Sequence, residues 1–212
     1  MNRLPGWIRQ HIAALRGLLV FTVITGIAYP VVMWGVAQVA FHNQANGSLV
    51  SYHGRVIGSS LLCQEFVDAK GNPLPQYFQP RPSAASNALV KTDYGCDPLF
   101  SAASNLGPTN PVLIKDIKQR QQQIAAFDHV RILQIPPDAV TTSASGLEPF
   151  ISPQNAAIQV NRVAAARHVS PAAVQALVAS FTQGRTLGFL GEPRVDVLTL
   201  NIALDQKYPF HG

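Results

Sequence analysis

The sequence has no acidic side chain before Glu65 and no formally charged side chain of either sign between Arg16 and His42. The first absence leaves Arg3, Arg9 and Arg16 uncompensated at the N-terminus, and the second leaves a 25-residue apolar run, Gly17 to Phe41. Motifs for common chemistries are missing too. There is no G-x-x-x-x-G-K-[ST] phosphate loop, no G-x-G-x-x-G, no H-E-x-x-H, no G-x-S-x-G elbow and no calcium-binding loop. None of the six histidines has another three or four residues away, so no helical metal pair is offered. Beyond the first 16 residues, 13 basic side chains face 11 acids, a balance of +2 without the clustered basic stripe that a phosphate backbone needs. Nucleic acid is therefore excluded as a partner, and no constellation for a stand-alone enzyme stands out.

What is present is hydrophobic length. At about 1.5 Å per residue, residues 17–41 span about 37 Å as a helix, enough for about 30 Å of hydrocarbon with some tilt. Twelve of them are Leu, Ile, Val or Phe, together contributing about 5 kcal/mol toward insertion. The competing reading is a cleaved signal peptide. Such cores are about 7 to 15 residues long and end in a small-x-small site, whereas this run is longer and has Gln38 two positions before Ala40. Three arginines precede the span, and only Arg55 is charged in the twenty residues after it. That asymmetry predicts a cytoplasmic tail over 1–16, a membrane helix over 17–41 and an extracytoplasmic domain over 42–212. Pro30 is expected to kink the helix. At 100° per residue Thr22, Gly26, Pro30, Met33 and Ala37 share one face, a small-residue strip suited to close packing by another membrane helix.

The rest reads as one α+β domain. His53-Gly54 between Leu49-Val50 and Val56-Ile57 predicts a hairpin, with a bulge or bend at Gly58-Ser59-Ser60. Residues 68–111 lack periodicity and are rich in Pro, Gly, Ser and Asn, the composition of a contact surface or of a segment packed by its own side chains. Asn110-Pro111, Ser152-Pro153 and Ser170-Pro171 each place a capping side chain before proline, the start of a helix. The apolar faces are Leu113, Ile117, Ile124 and Phe127; Ala156, Val160 and Val163 with Arg167; and Val174, Leu177, Val178 and Phe181. Asp196 is positioned to cap a last helix over 197–205. Cys63 and Cys96 form a pair by arithmetic alone, and the sequence does not place them within bonding distance. Asp93 and Asp97 have the spacing to share a cation but read as a solvated loop.

Val140 to Pro153, VTTSASGLEPFISP, combines successive hydroxyl residues with Gly146 just before a helix. Exposed amides in such a loop can hold an anion. A turn whose hydroxyls satisfy the local backbone is the plainer alternative.

Together, QANGSL at 44–49, GSSLLCQEF at 58–66, YFQPRPSA at 77–84, ASNLGPTNP at 103–111, VTTSASGLEPFISP at 140–153, QVNRVAAAR at 159–167 and GEPRVDVLTLNIALD at 191–205 resemble the C subunit of the bacterial Kdp potassium-transporting ATPase, in order along nearly the whole chain. The resemblance implies a non-catalytic accessory subunit of the inner membrane, with a channel-like potassium-translocating subunit, a P-type ATPase subunit and a small single-span subunit as partners. It implies a role in assembly and in raising the ATP affinity of the hydrolysing subunit, with ATP and potassium handled by the complex. It associates nucleotide with Ser143, Ser145 and Gly146 and with Gln154 or Gln159. A contact of this kind conflicts with an extracytoplasmic domain, because ATP lies on the other side of the bilayer. The resemblance gives a Cys63–Cys96 bond no support, since the family has Gly in place of Cys63 and Cys96 falls in a variable insertion. An anchored extracytoplasmic binding or sensor domain working alone is the alternative function.

Overall fold

The computed structural model describes residues 5–86 and 95–210. The chain divides into two units, Met1–Ser48 and Leu49–Gly212. In the first, α1 (Gly6–Val23) continues through a widened turn (Ile24–Ala28) into α2 (Tyr29–Ala40), followed by the single turn α3 (His42–Ala45). The apolar helix thus covers 35 residues, Gly6–Ala40, and begins eleven residues before the uncharged run. The apolar run sets the part of the helix that suits hydrocarbon, but helical bonding continues through Arg9 and Arg16 because neither breaks a helix. No residue of α1 or α2 is buried within the protein.

The effect of Pro30 appears one turn earlier. The Tyr29 N–H donates to Ile24 O, five residues back, and the Thr25 hydroxyl donates to Phe21 O at 2.7 Å. A widened turn of this kind absorbs the missing proline donor without exposing a break. It also adds a residue to the turn, so Pro30, Met33 and Ala37 are rotated by roughly 100° from the line of Thr22 and Gly26. The predicted straight strip becomes two offset patches.

The second unit mixes helix and sheet. β1 (Leu49–Tyr52) and β2 (Arg55–Ser59) form the hairpin, turning at His53 and Gly54, both at positive φ. Val50 pairs with Gly58 and Ser51 with Val56, so the extra residue is Ile57 and Gly58 stays within its strand. Then come α4 (Pro111–Asp128), α5 (Pro137–Val140), β3 (Phe150–Ile151), α6 (Pro153–Ala166), α7 (Pro171–Phe181), β4 (Thr182–Gln183), β5 (Arg194–Asp196) and α8 (Val197–Lys207). The second sheet is antiparallel in the order β3-β5-β4.

All four caps read from the sequence are in place. Val112 N donates to Asn110 Oδ1, Asn155 N to Ser152 Oγ, Ala173 N to Ser170 Oγ and Thr199 N to Asp196 Oδ1. The helices then turn the expected residues inward. Ala156, Val160 and Val163 of α6 join Val174, Leu177 and Val178 of α7, Leu200 and Leu204 of α8, Val195 of β5 and Ile151 of β3 in one core. Phe78 belongs to this core although its own segment has no helix or strand.

Cys63 and Cys96 form a disulfide with Cα atoms 5.4 Å apart. This corrects the inference from family resemblance, which gave the bond no support; the pairing depends on the path of an irregular segment that periodicity does not reveal. Asp93, one member of the proposed aspartate pair, lies outside the described residues.

Candidate functional site

α6 carries two inward stripes. The apolar one was legible in the sequence. The second is polar: Asn155, Gln159 and Arg162, at i, i+4 and i+7, all buried, with Arg167 beyond the last turn. Buried polar groups of this number require partners, and the partner is a strap, Pro75 to Gln79, that opens with a turn at Pro75-Gln76. Arg162 donates from Nη1 to Pro75 O at 2.7 Å and Tyr77 O at 2.8 Å, from Nη2 to Gln159 Oε1 at 2.7 Å, and from Nε to Asp128 Oδ1 at 2.7 Å. Its guanidinium also stacks 4.3 Å from the Phe127 ring centroid. Arg167 holds Gln76 O at 2.7 Å, Tyr208 O at 2.8 Å and Asp205 Oδ1 at 2.8 Å.

Two amides complete the strap in the manner of a neighbouring strand. Asn201 of α8 accepts from Phe78 N at 2.9 Å and donates to Phe78 O at 2.9 Å. Gln159 accepts from Gln79 N at 2.8 Å and donates to Gln79 O at 3.2 Å. The stripe continues through Asn155 to Asp138, whose carboxylate takes Asn155 Nδ2 at 3.1 Å and the Ser152 amide at 2.9 Å. Burial is the largest influence on the ionic pair, pushing Asp128 up and Arg162 down, with their mutual attraction opposing both shifts. Burial likewise raises Tyr77, reinforced by the Asp205 carboxylate that its hydroxyl contacts at 3.1 Å.

The residues that family resemblance associates with nucleotide fall in two places. Ser143 and Gly146 are buried, and Ser145 is exposed. Their loop anchors the irregular segment: Ser145 O accepts from Ala102 N and Ser101 Oγ, both at 3.0 Å, Gly146 O from Ser83 Oγ at 2.6 Å, and Leu147 O from Cys63 N at 3.0 Å. The Ser145 hydroxyl accepts from Leu147 N at 3.1 Å, the local use expected of a turn. Gly146 sits at φ 72°, and a Cβ there would stand 2.6 Å from Ala102 O and 2.7 Å from Ala85 Cβ. The space beside this glycine is filled by the chain itself. Gln154 is exposed on the first turn of α6, whereas Gln159 is committed to the strap. Among the described residues, no hydrogen bond joins either glutamine to Ser143, Ser145 or Gly146.

A cavity of about 500 Å³ opens beside the strap. Arg120, Gln123, Ile124 and Phe127 of α4 form one wall, and Gln79 to Pro82 with Val67 form another. Sequence reading missed this feature because its walls come from segments forty residues apart. Among the described residues, no group of three or more His, Cys, Asp or Glu side chains is placed to hold a metal ion.

The chain matches the family described as "K+-transporting ATPase, c chain" (KdpC) over residues 11–206. It is 50% identical over 192 residues to a potassium-transporting ATPase KdpC subunit of Sorangium cellulosum, covering 91% of this chain and 95% of that one. Identity to the KdpC subunit of Dechloromonas aromatica is 47% over 187 residues, 88% of this chain and 92% of the relative. The Kineococcus radiotolerans subunit is 45% identical over 206 residues, 97% and 98% of the two chains. With the uncharged run from Gly17, the strap and the glycine loop all inside the matched region, this chain belongs to the KdpC family of potassium-transporting ATPase subunits.

Proposed function

We propose that this accessory subunit is anchored with its N-terminus in the cytoplasm, and that its second unit works outside as a clamp on the neighbouring pump subunits. The observation that carries the reading is the Gly6–Ala40 helix, wholly unburied, whose uncharged part from Gly17 follows Arg3, Arg9 and Arg16 with no acid among them. The Cys63–Cys96 bond supports the same side, because disulfides persist in oxidising compartments. The partners are the channel-like potassium-translocating subunit, the P-type ATPase subunit and the small single-span subunit. Thr22 with Gly26, and Pro30 with Met33 and Ala37, are the two patches against which membrane helices of these subunits pack. Outside the membrane, the turn after β4 offers Leu187 and Phe189, 79% and 68% exposed, as an apolar tip for contact.

On this topology the subunit raises ATP affinity without touching ATP. The influence passes through the assembly as a coupling between distant sites, with a typical magnitude of about 1–3 kcal/mol. The commitment of Gly146 and Gln159 to intrachain contacts supports an indirect effect.

Because the described cysteines are both bonded, an introduced thiol reports alone. A Gln122→Cys variant, on the exposed face of α4, is expected to react with a membrane-impermeant maleimide in intact cells. Labelling only after lysis would invert the topology and end the clamp mechanism.

A further inference from the structure

Arg81 and Arg120 are the two guanidinium groups of the cavity that lack an ion-pair partner among the described residues. They share an anchor: Arg120 Nη1 donates to Val140 O at 2.9 Å and Arg81 Nη2 reaches Thr141 O at 3.4 Å, consecutive residues of the chain, and both side chains line the cavity. Arg81 Nε is enclosed by protein and has no hydrogen-bond partner among the described residues. A buried donor of this kind calls for a group that the chain does not supply. Of the remaining charges, Asp128 is neutralised by Arg162, and the Glu65 carboxylate packs against Gly95. Two guanidiniums without ion pairs, with Gln123 and apolar Val67, Ile124 and Phe127 lining the same cavity, make a site for one planar or tetrahedral oxyanion attached to a small apolar body.

We propose that this cavity is an oxyanion-binding site, taking a phosphate-type group between Arg81 and Arg120. The group comes either from a free anion or from a phospholipid headgroup, and the charge pattern is the same for both. None of Ser143, Ser145 and Gly146 lines the cavity, so the site is separate from the glycine loop. It is also independent of which side of the membrane the domain occupies.

The test uses the full chain in an uncharged maltoside detergent, titrated with inorganic phosphate at constant ionic strength and followed by thermal unfolding and calorimetry, with chloride as the control anion. The expected result is saturable stabilisation by phosphate, weakened about tenfold or more in Arg81→Gln and Arg120→Gln and unchanged in Lys118→Gln, which lies outside the cavity. Gln123→Glu keeps both arginines and places a carboxylate at the site; it is expected to abolish the phosphate effect by pairing with the guanidiniums itself. If phosphate is inactive but phosphatidylglycerol nanodiscs stabilise the chain over phosphatidylcholine ones in an Arg81-dependent way, the anion is a headgroup. Phosphate and phosphatidylglycerol no better than their controls, or effects that survive both arginine substitutions and Gln123→Glu, overturn the proposal.

Discussion

Arg162→Met is the most informative perturbation of the strap. The substitution keeps an unbranched side chain over Phe127 but removes donors to Asp128, Pro75 O, Tyr77 O and Gln159. Asp128, 5% exposed, then carries an uncompensated charge or takes up a proton. Breaking a buried pair from one side costs about 3–5 kcal/mol, and we expect about 4 kcal/mol here, a large share of the roughly 5–15 kcal/mol of a typical domain. Asp128→Leu in the same chain removes the stranded carboxylate and is expected to recover about 2 kcal/mol, a strongly non-additive cycle. Urea unfolding of the full chain in detergent measures both values. Hydrogen exchange adds a local readout. The amides of Phe78 and Gln79, held by Asn201 and by the Gln159 that Arg162 orients, should lose protection before those of α7. A loss below about 1 kcal/mol in the single variant, or a double variant worse than the single, would show that the strap is held by burial of Phe78 rather than by the polar stripe.

Gly146→Ala forces a side chain into left-handed backbone against Ala102 O and Ala85, and a fall of about 3 kcal/mol or more is expected from the urea midpoint. Replacing Cys63 and Cys96 by serine opens a bond between residues 33 apart and should cost about 3.7 kcal/mol in the chain-entropy account, matched by adding reductant to the native protein. Asp196 is raised above 3.8 chiefly by burial, so the folded state binds its proton more tightly than the unfolded state. Its contribution to stability is therefore fully present below the unfolded value and is lost as pH rises through the folded value. Asn caps as well as Asp and does not titrate, so Asp196→Asn should be the more stable at pH 7, with the advantage shrinking on acidification; thermal unfolding from pH 7 to pH 4 checks the trend.

The long apolar helix, the four caps and the apolar faces of α4, α6 and α7 were legible in the sequence because each is a local property. Hydropathy over one window, a side chain beside proline and a 3.6-residue period need no knowledge of distant segments. Family membership was equally legible, since seven short stretches in order survive without any coordinates. Tertiary structure alone decided the rest. Asn155, Gln159 and Arg162 keep helical spacing, yet nothing local says that this polar stripe is buried, because its partners lie in the strap at residues 75–79. The Cys63–Cys96 bond and the Arg81–Arg120 cavity likewise join parts of the chain far apart in sequence, through segments without periodicity. Such pairings are set by which buried donors find acceptors across the fold, and that matching exists only once the core has brought the segments together.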